Sequence, residues 1–344
     1  MTAPILVWGA GAIGGSLGAA FIRAGREVVF VDAALDHVAA LNARGLTITG
    51  PIAPGHVPAR AFAPDDLSGM FKQIVLAVKS HHTPEALDLL VPHLAPDGFV
   101  LSAQNGLEER RIASRVGAQR TLGCFVNFGA DYLEPGMVLY GGRGAVVVGE
   151  IDGVMTPRID GILELFKTFE PNAIKTPNIF GYLWAKLVYG AMLFATALTN
   201  DSIADVLDLE RYRPMLVRLA HEILAVARAE GVRLEAFNGF DPSAFAPDAG
   251  LRRTQASFDE MVAFNRRSAK SHSGIWRDLA IRKRRTEVDA QLGPIVELGR
   301  RHAIPTPIVE GILARIHEIE NGRRELSLAA LAELDDLPGR EICR

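Results

Sequence analysis

The fold is decided by the stretch PILVWGAGAIGGSLGAAFIRAGREVVFVD, residues 4–32. The apolar run at residues 4–8 predicts a buried strand, and the glycines after it predict a turn. Apolar side chains then recur at helical spacing up to Gly25, and a second apolar run ends in Asp32. Strand, turn, helix and strand within about thirty residues have the size of one βαβ unit. The stretch therefore predicts a parallel sheet with helices on its faces.

The turn has the spacing G-x-G-x-x-G, which in a strand–turn–helix context is typical of dinucleotide binding. The first glycine allows a tight turn, the second lets a pyrophosphate approach the backbone, and the third lets helix and strand pack closely. The N terminus of the helix would offer free N–H groups to the phosphates. We predict that the cofactor-binding residues of this turn are Gly9, Ala10, Gly11, Ala12, Ile13 and Gly14.

Asp32 ends the second strand, where a carboxylate can accept hydrogen bonds from the adenosine ribose and repel a 2′-phosphate. Residues 33–36 are Ala-Ala-Leu-Asp, without a lysine or arginine to hold such a phosphate. The sequence therefore predicts that NAD(H) is preferred over NADP(H). A solvated aspartate at a strand end is the alternative that this pattern leaves open.

The pattern of the chain changes near residue 175. Before it, strand and helix patterns alternate, and residues 137–149 predict a hairpin around Gly141 and Gly142. After it, helical runs dominate, and they are expected at 180–198, 210–230, 257–268, 273–302 and 306–320. The loop at 236–250 is rich in proline and glycine and is expected on the surface. The fold class predicted is α/β, with three segments: an N-terminal Rossmann-type dinucleotide-binding domain at 1–176, an all-helical C-terminal domain at 177–330, and a tail without a core pattern at 331–344.

Composition excludes several classes of protein. The 344 residues carry 37 basic and 40 acidic side chains, a net charge of −3, which does not favour nucleic acid or an anionic membrane. Two distant cysteines, Cys124 and Cys343, predict neither a disulfide framework nor a metal site, and favour the cytoplasm. The apolar residues 187–198 are shorter than the roughly 18 needed to span a membrane, so we expect a buried helix there. The N terminus does not resemble a signal peptide.

Four further stretches follow the glycine turn: LAVKSHHTPEAL with Lys79, QNG with Asn105, WAKLVYG with Lys186, and TEVD with Glu287. With these motifs in this order, the chain resembles the ketopantoate reductases (2-dehydropantoate 2-reductases) over about residues 4–320. The resemblance implies a Rossmann domain followed by a helical domain. It also implies an NAD(P)-dependent oxidoreductase that transfers a hydride between nicotinamide and a 2-oxo or 2-hydroxy acid, or a related carbonyl compound.

The resemblance also implies roles for these residues. Lys186 would be the general acid, Glu287 would hydrogen-bond the reacting oxygen or the substrate's hydroxyl, and Asn105 and Lys79 would lie near the nicotinamide and the substrate. An ammonium suits this chemistry because hydride transfer puts negative charge on oxygen, which the ammonium stabilises and then protonates. Without the resemblance, the residues leave two alternatives open. Lys186 could lie at a helix edge, and Glu287 could be a solvated residue on a charged helix.

The substrate-binding positions depart from the family pattern. The asparagine that the family has four residues after the lysine is Gly190 here, and the serine expected upstream of the glutamate falls at Ser273 or Gly274. We expect a roomier and more apolar pocket beside Gly190, suited to a 2-oxo acid other than ketopantoate. Within the basic stretch 266–285, Arg277 could clamp a carboxylate, or the stretch could be a solvated helix face.

Two other functions remain open at this point. One is reduction of an imine, as in opine-type dehydrogenases, and the other is a dinucleotide-binding sensor without turnover. The expected partner is a small anionic carbonyl or hydroxy-acid substrate. No nucleic acid, membrane or metal is predicted, and the helical half could form a homodimer interface.

Overall fold

The computed structural model describes residues 3–267 and 271–337, which form two compact units divided between Phe180 and Gly181. The first unit has mixed α/β structure. Its strands are β1 (Ile5–Trp8), β2 (Val28–Val31), β3 (Leu46–Thr49), β4 (Gly55–Val57), β5 (Arg60–Phe62), β6 (Phe71–Leu76), β7 (Leu94–Ser102), β8 (Thr121–Val126), β9 (Gly129–Glu134), β10 (Met137–Gly142), β11 (Val146–Glu150) and β12 (Ile174–Lys175). Its helices are α1 (Ala12–Arg23), α2 (Leu35–Arg44), α3 (Thr83–Leu90), α4 (Glu108–Val116) and α5 (Pro157–Lys167).

The main sheet of the first unit has the strand order β12-β11-β8-β7-β6-β1-β2-β5. β1 lies between β2 and β6 and is parallel to both, with Ile5 opposite Val28 on one side and Gln73 on the other. The chain leaves β1 toward β2 and later returns to its other side at β6. The carboxyl end of β1 is therefore a topological switch point, the place where open α/β sheets bind ligands. The predicted α/β fold class is confirmed.

The hairpin predicted over residues 137–149 is wrong. β10 pairs with β9 and β3 in a second sheet of order β4-β3-β10-β9, whereas β11 pairs with β8 and β12 in the main sheet. A tight hairpin turn needs positive φ, and neither Gly141 nor Gly142 has it. The two glycines instead continue β10, and the chain then passes from one sheet to the other.

The second unit is helical in its described residues, apart from one β-bridge between Phe237 and Phe240. Its helices are α6 (Ile179–Thr196, which begins in the first unit), α7 (Ile203–Asp208), α8 (Arg213–Ala229), α9 (Leu251–Arg267), α10 (Gly274–Trp276), α11 (Val288–Arg301), α12 (Pro307–Glu320) and α13 (Leu328–Asp335). α6 is long and apolar enough to cross a membrane by length and composition, but 67% of it is buried within the protein. A core helix has the same properties, in line with the burial predicted for it.

The single helix predicted over 273–302 is broken. α10 continues into a π-helical segment at Arg277–Ile281, Lys283 has a φ of 48°, and α11 begins at Val288. Residues 282–285 are four consecutive cations, whose mutual repulsion disfavours a continuous helix. Glu287 consequently precedes α11 rather than lying within a charged helix.

The loop expected at the surface and the tail expected to lack a core pattern both contribute to the core. In the loop 236–250, Phe237, Phe240 and Phe245 are buried, and the Phe240 and Phe245 rings stack with centroids 5.5 Å apart. In the tail, α13 buries Leu331 and Leu334, so the predicted lack of a core pattern is wrong up to residue 335. Both segments are too short for a periodic pattern of apolar residues to be recognised in the sequence. Residues 338–344, which include Cys343, lie outside the described part of the chain.

A buried carboxylate caps α12. Glu222 on α8 is 3% exposed, and its carboxylate oxygens accept the backbone N–H groups of Ile308 and Val309 at 3.0–3.1 Å. Burial raises the pKa of Glu222 to about 7, although the two N–H groups oppose this shift. Because this pKa lies above that of an unfolded glutamate, the folded state holds a proton that the unfolded state has lost.

The contribution of Glu222 to stability is therefore complete below about pH 4.5 and is lost as the pH rises through about 7. We expect up to about 3 kcal/mol of the free energy of unfolding to disappear over this range in wild type. Glu222→Gln keeps an acceptor for the N–H groups and removes the titration, so this loss should vanish. Urea unfolding between pH 5 and 8 measures this loss in the free energy of unfolding. The control is Glu297→Gln, a substitution of an exposed glutamate. Parallel pH profiles for wild type and Glu222→Gln would contradict it.

Candidate active site

The three glycines of the turn differ in their surroundings. Gly9 has a φ of 97°, and a Cβ there would lie 2.8 Å from the backbone nitrogen of Val78. A Cβ on Gly14 would lie 1.9 Å from the carbonyl oxygen of Gly9. A Cβ on Gly11 would meet no atom within 4 Å. Gly9 and Gly14 are thus required by the fold of the turn, whereas Gly11 borders open space that a pyrophosphate can enter.

The N terminus of α1 adds a second feature that fits a dinucleotide. α1 begins at Ala12 directly after Gly11, and no side chain caps its first turn. The first backbone N–H groups of a helix lack partners within the helix and attract phosphate oxygens. An uncapped helix start beside open space is therefore suited to the pyrophosphate of a dinucleotide.

The backbone of Ala10 is held on both sides. Its N–H donates to Asp32 Oδ2 at 2.8 Å, and its carbonyl oxygen accepts a hydrogen bond from His37 Nε2 at 3.0 Å. His37 is 1% exposed, and its Nδ1 accepts the N–H of Gly136 at 3.0 Å. Asp32 Oδ1 accepts the N–H of Ala34 at 3.0 Å, and each carboxylate oxygen keeps a lone pair for a ribose hydroxyl. His37 was not predicted from the sequence, since nothing in its local pattern distinguishes it.

Lys79 and Asn105 follow neighbouring parallel strands and lie on loops that are tied together. Ser80 Oγ donates to the carbonyl oxygen of Asn105 at 2.6 Å. Gln104 Nε2 donates to the carbonyl oxygen of Val78 at 2.9 Å, and so links the two loops a second time. Both loops lie at the carboxyl end of the sheet beside Gly9, because Val78 contacts that glycine. Gln104 belongs to the QNG motif, but its role as a tie between loops was not predicted.

In the second unit, α6 and α11 approach each other at Gly190. A Cβ on Gly190 would lie 3.7 Å from Gln291 Oε1, with no other atom within 4 Å. Lys186 precedes Gly190 by one turn of α6, and Glu287 precedes Gln291 by four residues, its carbonyl oxygen accepting the N–H of Gln291 at 2.9 Å. Four residues of helix rise about 6 Å, so Lys186 and Glu287 each lie about one helical turn, along their own segments, from the contact between Gly190 and Gln291. The only atom that a Cβ on Gly190 would meet within 4 Å is thus the polar Gln291 Oε1, and the expectation of a roomier and more apolar pocket stays a prediction.

Ser273 and Arg277 flank α10. Ser273 is 6% exposed, and its Oγ accepts the N–H of Trp276 at 3.1 Å, which makes it the N-cap of that helix. Arg277 opens the π-helical segment and is half-buried. π-helical segments are rare and often occur at functional sites. The cap explains Ser273 structurally, so its predicted contact with the substrate stays a prediction, as does that of Arg277.

The positive charge of the basic stretch is partly compensated. Asp278 is buried, and its Oδ1 accepts hydrogen bonds from Arg282 at 3.2 Å and Arg284 at 2.9 Å. Residues 268–270 of this stretch lie outside the described residues. Among residues 3–267 and 271–337, no group of three or more histidine, cysteine, aspartate or glutamate side chains is placed to hold a metal ion.

Comparison with known proteins identifies relatives over nearly the whole chain. A 2-dehydropantoate 2-reductase of Mesorhizobium japonicum is 28% identical over 338 residues, which cover 92% of this chain and 97% of that protein. A PanE/ApbA family ketopantoate reductase from Ralstonia eutropha JMP134 superimposes with a TM-score of 0.76 at 27% identity, over 93% of this chain and 99% of that one. A D-mandelate dehydrogenase solved with NADH and anilino(oxo)acetate shares the fold, with a TM-score of 0.81 at 20% identity over 94% of this chain and 99% of that one.

Two family models cover most of the sequence. "Ketopantoate reductase PanE/ApbA" matches residues 5–153, and "Ketopantoate reductase PanE/ApbA C terminal" matches residues 178–320. The first match contains the glycine turn and both tied loops, and the second contains Lys186, Gly190, Glu287 and Gln291. This family uses a nicotinamide cofactor, which agrees with the open space at Gly11. The chain belongs to the ketopantoate reductase family.

Proposed function

We propose that this protein is an NAD(H)-dependent reductase of 2-oxo acids. The observation that supports the proposal is the contact between Gly190 on α6 and Gln291 on α11, because Lys186 and Glu287 each lie one helical turn from it. These residues supply an ammonium, a carboxylate and a side-chain amide. These groups suit a small anionic substrate that carries a carbonyl.

In the proposed reaction the nicotinamide supplies the hydride. Lys186 Nζ donates a hydrogen bond to the substrate's carbonyl oxygen, stabilises the negative charge that develops there and gives up one proton. Glu287 orients the ammonium or the resulting hydroxyl. Hydride and proton together account for the two hydrogens of the 2-hydroxy acid. Lys79 and Asn105 would position the nicotinamide half, and Ser273 and Arg277 the substrate's carboxylate.

A direct assay tests this function. NADH oxidation is followed with a panel of 2-oxo acids that includes ketopantoate, with and without an added amine. Turnover without amine supports ketone reduction, whereas turnover only with amine would favour imine reduction. Cofactor binding without turnover on any carbonyl would favour a sensor. The cytoplasmic location and the homodimer stay predictions. Size-exclusion chromatography with light scattering measures the oligomeric state.

The charge of Asp32 should select the cofactor. We expect kcat/KM for NADH to exceed that for NADPH at least about tenfold, since the carboxylate repels a 2′-phosphate. Asp32→Asn keeps an acceptor for the N–H of Ala10 and removes the charge. The ratio of kcat/KM for NADH to kcat/KM for NADPH should therefore fall about tenfold. The control is Asp152→Asn, an exposed aspartate that accepts the N–H two residues on, as Asp32 does for Ala34. A preference of wild type for NADPH would contradict this assignment.

A further inference from the structure

The first unit contains a cavity that the proposed reaction does not use. Its volume is about 300 Å³, at the lower end of the range for small-molecule sites. Helix α1 contributes Ser16 and Arg23 to its lining, β10 contributes Tyr140, and the segment after α5 contributes Phe169. None of residues 9–14, all of which the structure describes, lines it. The cavity is therefore distinct from the space that the glycine turn offers to a pyrophosphate.

The buried part of the lining includes a phenol without a partner. Tyr140 is 3% exposed, and its Oη makes no hydrogen bond to any residue that the structure describes. Its ring stacks on that of Phe169, with centroids 5.1 Å apart. Burial raises the pKa of Tyr140 to about 12, so the hydroxyl stays protonated near neutral pH and is available as a donor. A buried hydroxyl without a partner is costly, and an acceptor on a ligand would remove that cost.

The exposed part of the lining is positively charged. Arg23 donates to the carbonyl oxygen of Ala53 at 2.7 Å, and it forms no ion pair with a carboxylate in the described part of the chain. Arg143 donates to buried Glu170 at 3.2 Å, which compensates its charge. Of the described residues that line the cavity, none is acidic. The lining thus carries one uncompensated positive charge, which suits a monoanionic carboxylate better than a dianionic phosphate.

We propose that this cavity is a second ligand site, which binds a small aromatic carboxylate. The carboxylate pairs with the guanidinium of Arg23, and the ring of the ligand packs against the rings of Tyr140 and Phe169. A polar atom on that ring accepts a hydrogen bond from Tyr140 Oη. The site does not depend on the proposed reductase function, since every residue that lines it belongs to the first unit and none is among the proposed reacting groups.

Isothermal titration calorimetry with 4-hydroxybenzoate as the probe tests this site. We expect Arg23→Gln to raise the dissociation constant of the probe about tenfold, because the carboxylate loses its charged partner. Tyr140→Phe removes only the hydroxyl and should raise the dissociation constant about fivefold, since one buried hydrogen bond is lost. The neutral analogue 4-hydroxybenzamide should bind wild type about tenfold more weakly than the probe does. Its affinity should be the same for wild type and Arg23→Gln.

Two control variants separate this cavity from other places that attract anions. Arg44→Gln changes another exposed arginine that donates to a backbone carbonyl, that of Pro135 at 3.2 Å, and should bind the probe as wild type does. Lys186→Ala should also bind it with wild-type affinity, because Lys186 does not line the cavity. Melting temperatures show whether each variant is folded, and Tyr140→Phe decides the test if Arg23→Gln is not.

Three results would overturn the second site. The first is wild-type protein that shows no binding of the probe at millimolar concentration. The second is wild-type affinity for the probe in folded Tyr140→Phe and Arg23→Gln. The third is loss of binding in Lys186→Ala, which would place the probe among the proposed reacting groups. None of these results bears on the reductase function, which the turnover of NADH with 2-oxo acids measures separately.

Discussion

Replacing Lys186 by alanine is expected to lower kcat about 1,000-fold, which corresponds to about 4 kcal/mol of transition-state stabilisation. Lys186 is half-buried on α6, one turn from the open space at Gly190, and it is the proposed donor of both charge stabilisation and the proton. The glycine turn belongs to the other compact unit, so the dissociation constant for NADH should change less than about threefold. Steady-state kinetics and fluorescence titration with NADH measure the two effects.

A matched lysine separates catalysis from a general loss of charge. Lys167 at the end of α5 is exposed and pairs with Glu164 at 2.9 Å, so Lys167→Ala should retain wild-type turnover. If Lys186→Ala turns over at the wild-type rate, Lys186 has no part in the mechanism. If it loses NADH binding and turnover to the same degree, its role is not that of a general acid.

The second large effect is expected at Gly11. Gly11→Ala should fold with wild-type stability, because its φ of −69° suits any residue and its Cβ would meet no atom within 4 Å. That Cβ would however enter the space assigned to the pyrophosphate. We expect the dissociation constant for NADH to rise about 100-fold, or about 2.7 kcal/mol. Isothermal titration calorimetry and thermal unfolding measure binding and stability separately.

Two other glycines complete this experiment. Gly14→Ala forces a Cβ to 1.9 Å from the carbonyl oxygen of Gly9 and should destabilise the fold by about 3 kcal/mol. Gly161 in α5 is exposed with no atom within 4 Å of its Cβ position, so Gly161→Ala should bind NADH normally and gain about 0.5–1 kcal/mol of stability. Wild-type affinity for NADH in Gly11→Ala would show that the dinucleotide does not lie against this turn.

Local pattern was sufficient for the first βαβ unit and insufficient for the strands around it. Residues 4–32 carry the apolar runs and the glycine spacing within one short segment, and β1, α1 and β2 form there. Residues 137–149 also show two apolar runs, but the period of a strand does not say which sheet it joins. β10 and β11 are placed by pairing partners distant in sequence, such as Thr47 and Cys124, which local pattern cannot reveal.

The residues of the candidate site could likewise be predicted only in part from the sequence. Lys186, Glu287 and the glycine turn lie in motifs that a single sequence displays, so they could be proposed from it. Gln291 could not, because its significance comes from contact with a glycine about a hundred positions earlier. The sequence showed that a side chain is missing at Gly190, and only the structure shows that Gln291 of another helix lies next to it.

His37 connects the glycine turn with the second sheet, and this has a consequence for the order of folding. Its imidazole spans from Ala10, 27 positions away, to Gly136, 99 positions away. Contacts of such separation close large loops and therefore form late. The isolated βαβ segment can form its strands and helix without them, but Ala10 obtains its second hydrogen bond only when the chain has folded as far as Gly136. During synthesis, the complete glycine turn thus depends on the turn between β9 and β10, which leaves the ribosome more than a hundred residues later.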